Sequence, residues 1–147
     1  MDTPTVDEIV DALLASSRAL VAVSARSIAG AKGVTLPQYR MLVVLHGAAT
    51  NLSGLAAALD VAPSTAMRMV DRLIAAGLVE RTVPADNRRE THLELTTAGR
   101  QVVRTVTARR RRDLQAIIER VPAAQRIGLA DAMAAFATAA DQLWASS

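Results

Sequence analysis

The 147-residue chain contains no cysteine. That excludes disulfides, thiol redox sensing and any cysteine-ligated metal site. Two histidines, His46 and His92, are too few for a histidine-rich centre, so no metal and no other cofactor is expected. His46, near the end of the second helix described below, reads as a helix-dipole or surface residue. Aromatic residues make up only 2 % of the chain, so a core must come from Ala, Leu, Val and Ile. Hydrophobic residues total 51 %, which is enough for one. No apolar run reaches the length of about 18 residues that a membrane helix needs. No basic stretch followed by an apolar run marks a signal peptide. A cytoplasmic protein with no membrane partner is the expectation. Phosphate-binding glycine loops, nucleophile elbows and usefully spaced carboxylate pairs are also missing, so no catalytic residue and no enzyme is expected.

What is present is a concentration of positive charge. The net charge is +3, but residues 60–112 carry eleven Arg against six acids. A basic middle between near-neutral ends suits a polyanion, although a solvated surface has the same composition. The densest run, Arg109 to Arg112, falls mid-helix and reads as intersubunit or solvated pairing, with phosphate contact the alternative.

Local patterns predict six helices and one hairpin. Thr5 and Glu8 form a capping box for a helix over residues 6–29, closed by Gly30 and Gly33. Thr35 and Gln38 form a second box, opening a helix that stops before Gly47. Asn51-Leu52-Ser53 caps a short third helix ending at Leu59. Pro63 opens a fourth, and Gly77 ends it. The period then changes to two. Leu78 to Val83 and Thr91 to Leu95 form a hairpin around the charged turn of residues 84–90. A fifth helix, capped by Thr96 or Thr97, runs to about Arg120, and a sixth runs from Pro122 to about Trp144. The terminal helices are apolar over more than one face. A second copy of the chain would bury the surplus.

The fold class is therefore mainly α with a small β-hairpin wing. Residues 1–34 form an N-terminal dimerisation helix, 35–96 a winged helix-turn-helix, and 97–147 C-terminal helices that complete the dimerisation region, in one continuous domain. A helix start carrying short polar side chains can enter the major groove of double-stranded DNA, where base edges carry the sequence code. Ser64, Thr65 and Arg68 occupy such a position, with Met67 available to a thymine methyl and Arg72 to a phosphate or an acid. Ser53, at the start of the third helix, joins this DNA-binding set. Arg88 and Arg89 at the wing tip suit a minor groove. Asp86 and Arg81 are wing supports. An effector cleft would use Arg18, Tyr39 and Arg40, for which core packing and surface pairing are the plainer readings. A winged helix can also be a protein-docking module, but a docking face would be apolar where Ser64, Thr65 and Arg68 stand.

Leu52 to Arg100 resembles the MarR family of bacterial regulators. The matching pieces are Leu55-Ala56, Leu59, Val61, Pro63-Ser64-Thr65, Arg68, Val70-Asp71-Arg72-Leu73 and Gly77-Leu78-Val79. Arg81, Asp86-Asn87-Arg88-Arg89 and Leu95-Thr96-Thr97-Ala98-Gly99-Arg100 complete the set. The resemblance implies a homodimer with interleaved terminal helices. It implies a near-palindromic operator read by the fourth helix, with Arg88 in the minor groove. It also implies release, as from a repressor, by a small phenolic or aromatic acid bound between the DNA-binding lobe and the dimer interface. Two positions depart from the family pattern. Asp60 stands where many members have glycine, and Met67 stands where many have Ser or Thr. The second alters base preference.

Overall fold

The computed structural model describes residues 2–31, 33–86 and 88–146. Among the described residues seven helices and two strands follow in order: α1 (Val6–Ala29), α2 (Leu36–Gly47), α3 (Leu52–Leu59), α4 (Pro63–Ala75), β1 (Val79–Thr82), β2 (His92–Leu95), α5 (Thr97–Glu119), α6 (Ala123–Arg126) and α7 (Leu129–Ala145). The fold is thus mainly α with a two-stranded antiparallel hairpin.

Each boundary has a local cause. Thr5 and Glu8 bond reciprocally at the start of α1, and Thr35 and Gln38 do the same at α2. Asn51 caps α3, its side chain accepting from the Gly54 amide. Leu78 N–H reaches back to Leu73 and Gly77 N–H to Ile74, with Gly77 left-handed at φ 75°. This is the glycine-closed end that lets α4 stop without orphaned carbonyls. Thr96 caps α5: its hydroxyl accepts from Gly99 N–H and donates to the Gly77 carbonyl.

The C-terminal segment differs from the single helix that the sequence suggests. Ile127 is extended and Gly128 is left-handed at φ 75°, so α6 is a single turn and α7 starts afresh. Glycine adopts that conformation at little cost, and the helix breaks there.

Residues 1–110 and 111–147 form two compact units. The first has a continuous core. Met41, Leu42 and Leu45 of α2 meet Leu55, Ala56 and Leu59 of α3, Ala66, Val70 and Leu73 of α4, the hairpin residues Val79, Leu93 and Leu95, and Val103 of α5. Ile28, Tyr39 and Val106 make a smaller cluster. In the hairpin, Val79 pairs with Leu95 and Arg81 with Leu93. The alternation of buried Leu93 and Leu95 with half-buried His92 and Glu94 fixes the register. A bridge between Thr50 and Leu93 ties the hairpin to the chain just before α3.

In the second unit, no described residue from 111 to 146 is buried. Ile117, Ile118, Ile127, Met133, Phe136, Leu143 and Trp144 are all exposed. The same is true of Val6, Ile9, Val10, Leu14, Leu20 and Val21 on α1.

One joint in the first unit is built closely. A β-carbon at Gly99 would run into the carbonyl oxygen of Leu78. Arg100 donates to the Leu95 carbonyl at 2.9 Å. The roots of α5, α4 and the hairpin are therefore held together.

Candidate nucleic-acid interface

α4 is sharply two-sided. Ala66, Val70 and Leu73 are buried, at the three-to-four spacing of one helical face. Ser64, Met67, Arg68, Asp71 and Arg72 are exposed on the other side, with Thr65 half-buried at the boundary. Pro63 and Ala62 provide no side-chain cap, so the first amides of α4 remain available to a ligand. Arg68 reaches Thr65 Oγ1 at 3.5 Å, a contact too long to hold the guanidinium firmly. Arg68 is thus poised for another acceptor.

The turn before α4 depends on Asp60, which is left-handed at φ 52° and is the one non-glycine residue with positive φ among those described. Its N–H bonds to the carbonyls of Ala56 and Ala57, and Val61 N–H bonds to Ala56. These bonds reverse the chain between α3 and α4. Asp therefore fills the place where the sequence pattern favours glycine.

Two links hold the wing beside α4. Arg81 Nη2 pairs with Asp71 Oδ1 at 3.0 Å, joining β1 to α4. Both partners are about half exposed, so the pair contributes at most about 1 kcal/mol but does set an orientation. Just before β2, Glu90 accepts from Asn51 Nδ2 at 2.7 Å, while its second oxygen lies 3.4 Å from His92 Nε2. Asn51 thus caps α3 with its oxygen and holds the wing with its nitrogen. Sequence reasoning did not find this clasp, because nothing local pairs residues 39 positions apart.

Asp86, Arg88 and Arg89 lie exposed around the wing turn. Asn87 of the same motif falls outside the described residues. Ser53 is exposed in the first turn of α3, and the cap there belongs to Asn51.

Of the three residues assigned to an effector cleft, the structure brings two together. Tyr39 is buried, its hydroxyl 3.2 Å from Thr107 Oγ1. Arg40 lines a cavity of about 360 Å³ with Tyr39, Ser24, Leu36, Val43 and Arg110. Arg18 is exposed on α1 and lines neither this cavity nor the one of about 460 Å³ between α2 and α4, to which Arg40 and Arg72 belong. Arg110, read from the sequence as part of an intersubunit or solvated run, lies beside Arg40 and makes this cavity cationic. Arg109 packs instead against Gly30 at the end of α1. Among the described residues, no group of three His, Asp or Glu is placed to hold a metal ion. No described helix is long and apolar enough to cross a membrane.

A family model described as MarR family matches residues 32–90. The chain is similar to RV1404 from Mycobacterium tuberculosis, at 46% identity and a TM-score of 0.85, over 95% of this chain and 97% of that one. It shares its fold with a MarR family protein from Bacillus stearothermophilus, with 21% identity, a TM-score of 0.83 and coverage of 96% and 99%. It also shares its fold with a mutant MepR of S. aureus bound to an oligodeoxyribonucleotide, with 16% identity, a TM-score of 0.66 and coverage of 93% and 99%. No curated protein matches the chain in sequence.

Proposed function

Because this chain belongs to the MarR family of winged-helix transcription regulators, we propose that it works as a homodimer that grips a near-palindromic operator in double-stranded DNA and represses transcription until a small aromatic or phenolic acid releases it. The observation that carries the DNA reading is the outward face of α4. Ser64, Met67, Arg68 and Arg72 are exposed opposite the buried Ala66, Val70 and Leu73. Such a face lies in a major groove with its base-reading side chains already directed outward. The uncapped first amides add donors for a phosphate. Arg68 has the fork geometry for guanine, and Arg72, one turn on, meets the backbone. Ser53 at the start of α3 lies within reach of the same strand. The Asp71–Arg81 pair and the Asn51–Glu90 clasp hold the wing so that Arg88 and Arg89 enter the flanking minor groove. Asp86 closes the wing turn.

The dimer reading draws on the absence of burial in residues 111–146 and on the apolar side of α1. Residues 1–34 and 97–147 then supply the shared interface, and 35–96 the DNA-binding part. Two copies would present α4 to successive major grooves about 34 Å apart. The cavity lined by Tyr39, Arg40 and Arg110 suits the effector: apolar side chains take a ring, and either guanidinium takes its carboxylate.

Selection of bound duplexes from a random pool tests the reading, and repetition with phenolic acids present tests release. Enrichment of a near-palindrome is expected. Arg68→Ala should cost about 1–3 kcal/mol of operator binding and relax preference at one base pair of each half-site. An Arg68→Ala protein that holds the selected duplex as tightly as the parent in a mobility-shift titration would remove α4 from the interface. Affinity should also fall steeply with salt as counterions are released.

A further inference from the structure

Met67 is half exposed at 50 %, in the middle of the outward face of α4. Among the described methionines it is the one on that face. Met41 is fully buried at 0 %, Met69 is half-buried against the core, and Met133 is 46 % exposed on an apolar helix. Met67 also faces a mixed environment. It shares a cavity of about 170 Å³ with Leu52, Val70, Arg81, Thr91 and Leu93. The reduced thioether is apolar and polarizable, and it fits both that cavity and a thymine methyl. With no cysteine in the chain, methionine sulfur is the side-chain group most open to mild two-electron oxidation.

We propose that Met67 is an oxidation site: a peroxide or a hypohalous acid converts its thioether to the sulfoxide, and the sulfoxide form releases DNA. The inference rests on the DNA-reading role given to α4 above. In the peroxide case the sulfur lone pair attacks one peroxide oxygen and the O–O bond breaks as the S–O bond forms. Sulfur loses two electrons, and the departing hydroxide takes the proton from the oxygen now on sulfur, leaving the sulfoxide and water. With hypochlorous acid the sulfur takes the chlorine as hydroxide leaves, and water then displaces chloride from the chlorosulfonium, giving the same sulfoxide with chloride and net release of one proton. The product side chain carries a strong hydrogen-bond acceptor where an apolar group stood. Two donors in the adjoining cavity can take it, the Arg81 guanidinium and the Thr91 hydroxyl. If it turns to Arg81, it competes with Asp71 for the guanidinium that aligns the wing. If it stays in the groove, it sets a polar oxygen against the thymine methyl that the thioether would touch. Either way the apolar contact is lost.

The test uses the full chain and the duplex selected from the random pool. Protein is treated with graded hydrogen peroxide or hypochlorous acid, peptide mass mapping locates each added oxygen, and anisotropy reads affinity. Affinity is expected to fall about tenfold or more, the loss of roughly one base-pair contact per half-site. The fall should follow sulfoxide at Met67, persist in a Met133→Leu background, and reverse on treatment with methionine sulfoxide reductases. Bound duplex should shield Met67 from the oxidant. Met67→Leu, whatever its own starting affinity, should lose none of it on oxidation. Full conversion of Met67 with unchanged affinity would overturn the proposal. So would an equal oxidant-driven loss in Met67→Leu, or loss that tracks Met41 and a melting of the fold. A reduced chain that selects no duplex at all would overturn the DNA reading together with this one. Normal selection with oxidant-insensitive binding removes this one alone.

Discussion

Asp60 carries the turn between α3 and α4 in a conformation that side chains with a branched β-carbon cannot share. Asp60→Val should therefore cost about 1–3 kcal/mol of folding stability, whereas Asp60→Gly should be neutral or slightly stabilising. Urea melts of the two variants check this, and equal midpoints would show that the turn is unstrained. The outward placement of Ser64 and Arg68 was readable from spacing alone, because positions three and four apart share a helix face. The partners of buried and clasping residues were not. Tyr39 meets Thr107 across 68 positions and Asn51 meets Glu90 across 39, and no local pattern encodes such meetings. Arg110 was visible only as one of four consecutive arginines. The fold separates Arg109, against Gly30, from Arg110, beside Arg40.

The starts of α1, α2 and α3 were the best-encoded features, since each is written within four consecutive residues. The α1 box also titrates. Hydrogen bonds from the Thr5 backbone and hydroxyl hold the Glu8 carboxyl below its ordinary value of 4.5. A lowered value means that the folded helix favours the carboxylate. The stabilisation is therefore fully present above pH 4.5 and is lost as the pH falls through the lowered value. Amide exchange in the first turn of α1 should rise in that acid range. The first turn of α2, built on Gln38, carries no titrating group in its box and should keep its protection. Simultaneous fraying of both turns would place the acid sensitivity elsewhere. The break between α6 and α7 escaped the sequence reading because Ala- and Leu-rich positions continue on both sides of it. The one signal was Gly128, which a helix interior tolerates at a cost of about 1 kcal/mol.

The unburied C-terminal unit carries a reporter for the proposed dimer. Trp144, the single tryptophan, is 72 % exposed in one chain. In a dimer joined through the terminal helices its emission should be blue-shifted, and should move to the red on dilution through dissociation. Phe136→Glu should yield the monomer mass by sedimentation and red emission at every concentration. A parent chain that sediments as a monomer with fully solvated tryptophan would dismiss the shared interface. Within the first unit, the contact of Gly99 with the Leu78 carbonyl, together with the Thr96 and Arg100 bonds, leaves no slack between α4 and the root of α5. Any tilt of one drags the other. If an effector and an operator act on this chain as proposed, leverage on α5 would pass to α4 as rigid rotation rather than bending, and the smallest change able to unlock that gearing is a single added methyl, Gly99→Ala.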